Sequence, residues 1–342
     1  MVARVFALVS IFALVGCSEY EITDNSNVIG PEDPADPVVE GAGGIEGRIC
    51  GPDGTSWLVG ADVTVLHDSG VVTGVTDVDG WFTLEGIPVG TWDVLIQKGS
   101  FSLTLTVPVE ADQITVLPEE ECLEQGEVQI AVVTGTFDHI EGVLDTLGFS
   151  YDIIDGDYQV TGFLRDPSQL EQYDIIFFNC GMDLSWSTWQ VEIGANLRDY
   201  VANGGSVYAS DWAYYIVESG WPHMNTFYGS DSVVGDAYVG ESGYVTATVL
   251  DATMVARLGS STAELNYDLP SWAVMEANHQ GSVLLEGTVE IWDPWYGYTS
   301  MRAPLAAQLD DGDGSVIYTS FHNEAQTTLD MRTLLQEIIL SL

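Results

Sequence analysis

Basic residues are scarce in this chain: 342 residues carry 8 Lys and Arg against 52 Asp and Glu, a formal net charge of -44. A field of that sign repels polyphosphates and anionic headgroups at long range, which excludes nucleic acid as a partner. The surface needs counterions, and salt or a divalent cation relieves its self-repulsion. Cysteine is sparse as well, with four in all. Two of them, Cys50 and Cys122, flank one stretch and can close it with a disulfide outside the cytoplasm. No two of the five histidines stand at i, i+4 spacing, so the chain lacks a local zinc motif. What it does have is 46% hydrophobic residues, 10 Trp and 36 Gly. That composition packs a core and does not remain an acidic coil.

Residues 1–18 combine a short basic start with an apolar run from Val5 to Val15 that ends in Leu14-Val15-Gly16-Cys17. The run is too short to span a bilayer as a helix. It resembles a bacterial lipoprotein signal peptide, which implies cleavage before Cys17 and acylation of that cysteine, palmitate included. Ser18 just after the cysteine resembles the pattern sorted to the outer membrane in Gram-negative bacteria. The resemblance therefore implies a lipid-anchored protein of the bacterial cell envelope whose membrane contact is the lipid on Cys17. Residues 18–44 are rich in Glu, Asp, Asn and Pro, end in Gly-Ala-Gly-Gly, and read as a flexible acidic linker.

From residue 45 to 117 apolar residues recur at two-residue spacing, as in Ala61-Val63-Val65, Phe82-Leu84 and Trp92-Val94-Ile96. Turns at 51–54, 77–80 and 88–90 interrupt them, which predicts a small all-β sandwich. Ile45-Glu46-Gly47-Arg48-Ile49, Thr76-Asp77-Val78-Asp79-Gly80-Trp81-Phe82 and Gly86-Ile87-Pro88-Val89-Gly90 are similar to the carboxypeptidase-regulatory-like β-sandwich. That resemblance implies a stalk or adhesion module without catalytic residues. Asp77 and Asp79 can bond turn amides, and Ca2+ is their alternative ligand.

A second acidic linker, 118–128, leads into residues 129–342. There apolar strands such as Asp174-Ile175-Ile176-Phe177-Phe178 alternate with helical stretches near 139–147 and 189–201. Runs of this kind suit a parallel sheet covered on both faces, so the expected fold class is a β-sandwich followed by an α/β flavodoxin-like three-layer sandwich. Strands are predicted near 244–250, 272–275, 282–286, 303–308 and 315–319, and a last helix over 325–339. The strand 206–210, the turn Ala202-Asn203-Gly204-Gly205 and the late Ser320-Phe321-His322-Asn323-Glu324 resemble the glutamine-amidotransferase-like sandwich. In its catalytic members a cysteine follows the strand matched by Ser206 to Ser210, and a histidine and a glutamate activate it. The match puts His322 and Glu324 in those roles and Asp211, or Ser210 if the register slips by one, in place of the thiol. A missing thiol removes the strongest argument for amidotransferase chemistry. Cys180 lies one βα unit earlier and reads as a buried thiol.

Two further features bear on function. Asp310-Asp311-Gly312-Asp313-Gly314 is a hairpin turn whose Asp311 and Asp313 offer a second pair of carboxylates for Ca2+, without the spacing of an EF-hand. Trp292-Asp293-Pro294-Trp295-Tyr296-Gly297-Tyr298 is dense enough in aromatics for Trp292, Trp295 and Tyr298 to form a platform for a glycan or an envelope protein. Three readings remain open. The first is an envelope lipoprotein with a non-catalytic domain used for binding or envelope organisation. The second is an amide or ester hydrolase using Ser210 or Asp211 with His322 and Glu324. The third is a cation-dependent surface adhesion protein.

Overall fold

The computed structural model describes residues 41–342 apart from 119–120, 184, 224, 230–235, 294 and 323–326, and apart from the side chains of 185–186. The signal peptide, Cys17, nearly all of the first acidic linker and Glu324 lie outside the described residues.

Eight strands come first: β1 (Ala42–Cys50), β2 (Asp62–His67), β3 (Gly70–Val75), β4 (Trp81–Pro88), β5 (Gly90–Lys98), β6 (Phe101–Val109), β7 (Ile114–Val116) and β8 (Glu121–Cys122). They form two four-stranded sheets, β4-β1-β7 with β8 also on β1, and β3-β2-β5-β6. Residues of one parity, such as Val63, Val65, Val94 and Ile96, are buried between the sheets, as period-two alternation requires. β8 lies inside the stretch expected to be a linker. It pairs with β1 in parallel so that Cys50 faces Cys122, and the two are joined by a disulfide.

The rest of the chain adds β9 (Ile130–Val133), β10 (Asp152–Ile154), β11 (Ile175–Phe178), β12 (Ser206–Ser210), β13 (Asn225–Phe227), β14 (Val239–Gly240), β15 (Gly243–Val249), β16 (Thr262–Tyr267), β17 (Trp272–Ala273), β18 (Met275–Asn278), β19 (Ser282–Asp293), β20 (Gly297–Asp311) and β21 (Gly314–Thr319). Its helices are α1 (Glu141–Thr146), α2 (Val160–Arg165), α3 (Pro167–Leu170), α4 (Gln190–Ala202), α5 (Tyr214–Gly220), α6 (Ala252–Leu258) and α7 (Leu329–Ser341).

The strand order corrects the expected fold class. All but β13 and β18 belong to one 11-stranded mixed sheet, β10-β9-β11-β12-β21-β20-β19-β14-β17, with β15 on β19 and β16 on β15. The first five strands of that order are parallel, and everything from β20 onward is antiparallel. With 44% strand against 22% helix among the described residues, the fold is β-rich and not a flavodoxin-like three-layer sandwich. The physical cause is the β19–β20 ribbon. Its strands run 12 and 15 residues, far beyond the 282–286 and 303–308 read from sequence, and dock on β21 where a doubly wound sheet would continue with helices.

Within the parallel part, every residue of β9, β11 and β12 is buried. Ile130, Val132, Ile175 and Phe177 pack with α1 and α7, while Ala131, Val133, Ile176 and Phe178 pack with α2 and α4. Covering both faces leaves the carboxyl ends of these strands as the place where polar side chains can gather.

The β-sandwich is not a free stalk. The described residues from 41 onward form one compact unit, and a single apolar cluster runs from Ile45 and Val94 through to Ile338 of α7. Phe101 stacks on Phe149 at 4.7 Å, and Arg257 Nη1 donates to the Trp57 carbonyl. Among the described residues no helix is long and apolar enough to cross a membrane.

Candidate functional site

Three carboxyl-end segments of adjacent parallel strands converge. β11 ends at Phe178 and delivers Cys180, β12 delivers Asp211, and β21 delivers His322 three residues beyond Thr319. Asp138, in the loop after β9, joins them from the fourth strand. Gly135 makes that approach feasible, since a Cβ there would sit 2.1 Å from the Cys180 carbonyl oxygen.

Asp211 occupies the sharp turn after β12 with φ +43°, a left-handed conformation that costs a non-glycine residue about 1–2 kcal/mol. Its neighbours hold it there. Oδ1 accepts the Ala273 N–H at 2.8 Å, the main-chain carbonyl accepts the Tyr318 hydroxyl at 3.3 Å, and Oδ2 accepts from Cys180 Sγ at 3.4 Å. Oδ2 also lies 3.8 Å from His322 Nδ1. The sulfur, the carboxylate oxygen and the imidazole nitrogen all fall within 4.8 Å of one another.

Burial sets the charge state of this group. It pushes the Asp211 carboxyl up to about 7, helped by the nearby Asp138 carboxylate and restrained by the Ala273 N–H and the Cys180 thiol. Burial, then the negative Asp211, holds the Cys180 thiol far above its ordinary range. His322 is pushed down to about 4, chiefly by burial, and neither ring nitrogen has a hydrogen-bond partner among the described residues. A protonated thiol that bonds a carboxylate instead of the imidazole is a poor nucleophile.

Ser210 does not take the serine-nucleophile role either. Its hydroxyl is fully buried, donates a short hydrogen bond to Asp138 Oδ2 and accepts the Cys180 N–H at 3.1 Å. Of the four residues matched to the hydrolase, the structure brings Asp211 and His322 together and turns Ser210 to Asp138. Glu324 lies outside the described residues.

The comparisons with known proteins give no family. No protein-family model and no curated protein matches the chain. Solved structures are similar only distantly. A cytoplasmic protein from Salmonella typhimurium is 12% identical over 62% of this chain and 98% of its own, with a TM-score of 0.40. A β-galactosidase from Bacillus circulans is 12% identical over 63% of this chain, with a TM-score of 0.36. The major pilin subunit of Bacillus cereus is 17% identical over 24% of this chain, with a TM-score of 0.20. The chain spans only 30% of the length of each of the last two. Likeness at this level bears on neither chemistry nor ligand.

The acidic turns are occupied by their own backbone and neighbours. Asp77 Oδ1 accepts the N–H groups of Asp79 and Trp81, and the Asp79 carbonyl accepts Arg48 Nε. Asp311 Oδ2 accepts Trp221 Nε1 at 2.7 Å, and Asp313 lies in the β20–β21 hairpin turn, its N–H on the Ala202 carbonyl. Among the described residues neither pair has a third ligating side chain beside it.

The aromatic segment forms the tip of the β19–β20 ribbon, where Trp292 pairs with Tyr298 across the strands, their rings edge-to-face at 5.0 Å. Asp293 Oδ1 accepts the N–H groups of both Trp295 and Tyr296 and so fixes the turn. Trp295 and Tyr296 are 85% and 84% exposed, and Trp292 and Tyr298 are about half exposed.

Sequence reasoning set Cys180 aside and did not single out Asp138. The available signal was positional: each follows an apolar strand at its carboxyl end. The order β9-β11-β12-β21 that makes the segments neighbours is not written in any local pattern.

Proposed function

We propose that this is a lipid-anchored protein of the bacterial cell envelope that binds neutral glycan through the aromatic tip of its β19–β20 ribbon. The observation that carries the reading is the display of Trp295 and Tyr296 in solvent on a turn fixed by Asp293. Large rings gathered on one exposed tip form a contiguous patch of the kind that meets a surface, and flat ring faces suit the C–H faces of sugars. The net charge of -44 turns away anionic polysaccharide, nucleic acid and anionic lipid, so among glycans it favours uncharged ones. Lipid on Cys17 would hold the protein at the membrane, with 18–44 as the tether.

Retention on neutral polysaccharide columns tests the ligand. The Trp295→Ala/Tyr296→Ala protein should lose about tenfold or more in affinity and keep its melting temperature, because both rings lie outside the core. Retention equal to that of the unaltered protein would remove the tip from the account. Anchoring is tested separately, by loss of the acyl mass increment in Cys17→Ser.

A further inference from the structure

We infer that Cys180, Asp211 and His322 form a binding site for a zinc-class divalent metal ion. The three donors are the soft, hard and imidazole ligands that such an ion accepts: one sulfur, one carboxylate oxygen, one ring nitrogen. They come from three adjacent strand ends, so the sheet itself fixes their spacing. Zinc bonds of about 2.0–2.3 Å in tetrahedral geometry place neighbouring ligand atoms roughly 3.3–3.8 Å apart. Cys180 Sγ to Asp211 Oδ2 is 3.4 Å and Asp211 Oδ2 to His322 Nδ1 is 3.8 Å, so the ion requires little rearrangement.

A second observation points to a ligand there. The His322 side chain is only 10% exposed, and both of its nitrogens are buried without a partner among the described residues, an expensive arrangement for an imidazole. A metal ion at this place supplies the missing partner. Asp138 acts on the site from behind, through Ser210 to the Cys180 N–H.

Beside His322 and Asp211 a cavity of about 20 Å³, lined in part by Tyr267 and Trp272, has room for a single water as the fourth ligand. On binding, the metal–sulfur bond forms as the thiol proton leaves to solvent, and any proton that Asp211 carries leaves likewise. No oxidant or reductant is involved.

The test is titration of the chelator-stripped full chain with Co2+, a spectroscopic stand-in for zinc. One equivalent should bind, with a near-ultraviolet thiolate-to-cobalt band and the intense visible bands of four-coordinate cobalt, and Zn2+ should abolish both. C180S should lose the thiolate band. H322A should weaken binding about tenfold or more, with circular dichroism reporting whether each variant is folded. Absence of the thiolate band from the unaltered protein at saturating cobalt overturns the inference, whatever the variants do. Several weak equivalents that survive both substitutions would also overturn it, by assigning the metal to the acidic surface. Neither readout involves glycan, so this result stands apart from that of the aromatic tip.

Discussion

Lys98 Nζ lies 2.5 Å from Glu337 Oε1, a buried ion pair that ties the last residue of β5 to α7. Lys98 follows Val94 and Ile96 on the inward face of its strand, and its ammonium also donates to the Val59 carbonyl at 2.9 Å. Removing one partner from such a pair strands the other charge and costs about 3–5 kcal/mol, whereas replacing both by apolar groups is often close to neutral. Lys98→Met should therefore destabilise the protein by roughly that amount, and the Lys98→Met/Glu337→Leu double substitution should recover most of it. Urea unfolding measures both, and a single substitution within about 0.5 kcal/mol of the unaltered protein would sink the argument.

The same pair predicts a pH dependence. Burial raises the Glu337 carboxyl above its ordinary 4.5, and Lys98 pulls it back down. A carboxyl raised in the folded state binds its proton more tightly folded than unfolded. Its contribution is therefore most favourable at low pH and declines as pH climbs from 4.5 through the folded value. Without the ammonium the folded value rises further and the decline widens. Lys98→Met should thus lose more stability between pH 5 and pH 8 than the unaltered protein does, read as the difference in urea midpoints. Equal slopes would mean that Glu337 does not feel Lys98.

Cys50 and Cys122 close a 72-residue separation in sequence across the paired strands β1 and β8. Loop entropy alone assigns about 4 kcal/mol to a separation of that length, and bridges of this kind typically deliver about 2–4 kcal/mol. Reduction, or Cys50→Ala/Cys122→Ala, should lower the melting temperature by several degrees and affect the sandwich, with Cys180 buried and unpaired as the remaining described thiol. A melting curve indifferent to reductant would show that the bridge contributes nothing.

Ser210 separates a structural from a catalytic role. Its hydroxyl bridges Asp138 and the Cys180 N–H within the core. Ser210→Ala leaves both groups short of a partner and should cost about 1–3 kcal/mol. A fluorophosphonate probe, which phosphonylates activated serines with loss of fluoride, should leave the unaltered protein unlabelled. Labelling that Ser210→Ala removes would restore the hydrolase reading.

Much of the secondary structure was legible where burial is two-sided. The apolar runs at 130–133 and 175–178 could be little other than covered strands, and the helix expected over 189–201 is α4, Gln190–Ala202. The fold class was not legible, because the outer part of the β19–β20 ribbon buries one face only. Val289 and Ile291 point inward while Glu290 and Trp292 point out, and the signal fades just where the strands continue. The last helix begins at Leu329, four residues later than expected at 325, behind the N-cap hydroxyl of Thr328. The site was half legible. Asp211 and His322 followed from a resemblance, whereas Cys180 meets them only through sheet order, which is a long-range property.

At the ribbon tip, Asp293 makes the separable prediction. It touches no ligand in the proposed reading, but its carboxylate accepts the N–H groups of Trp295 and Tyr296 and so holds the turn that presents both rings. Loosening the turn makes ligand binding supply the ordering cost, about 0.5–1.5 kcal/mol for each side chain immobilised. Asp293→Ala should then weaken glycan retention several-fold with every aromatic still present, and Asp293→Asn, which keeps an acceptor oxygen, should recover most of it. Loss in both variants would point to the charge of Asp293 acting on the ligand directly. Retention unchanged in Asp293→Ala would show that the rings bind without being held, and the fixed turn would no longer support the aromatic tip as the binding surface.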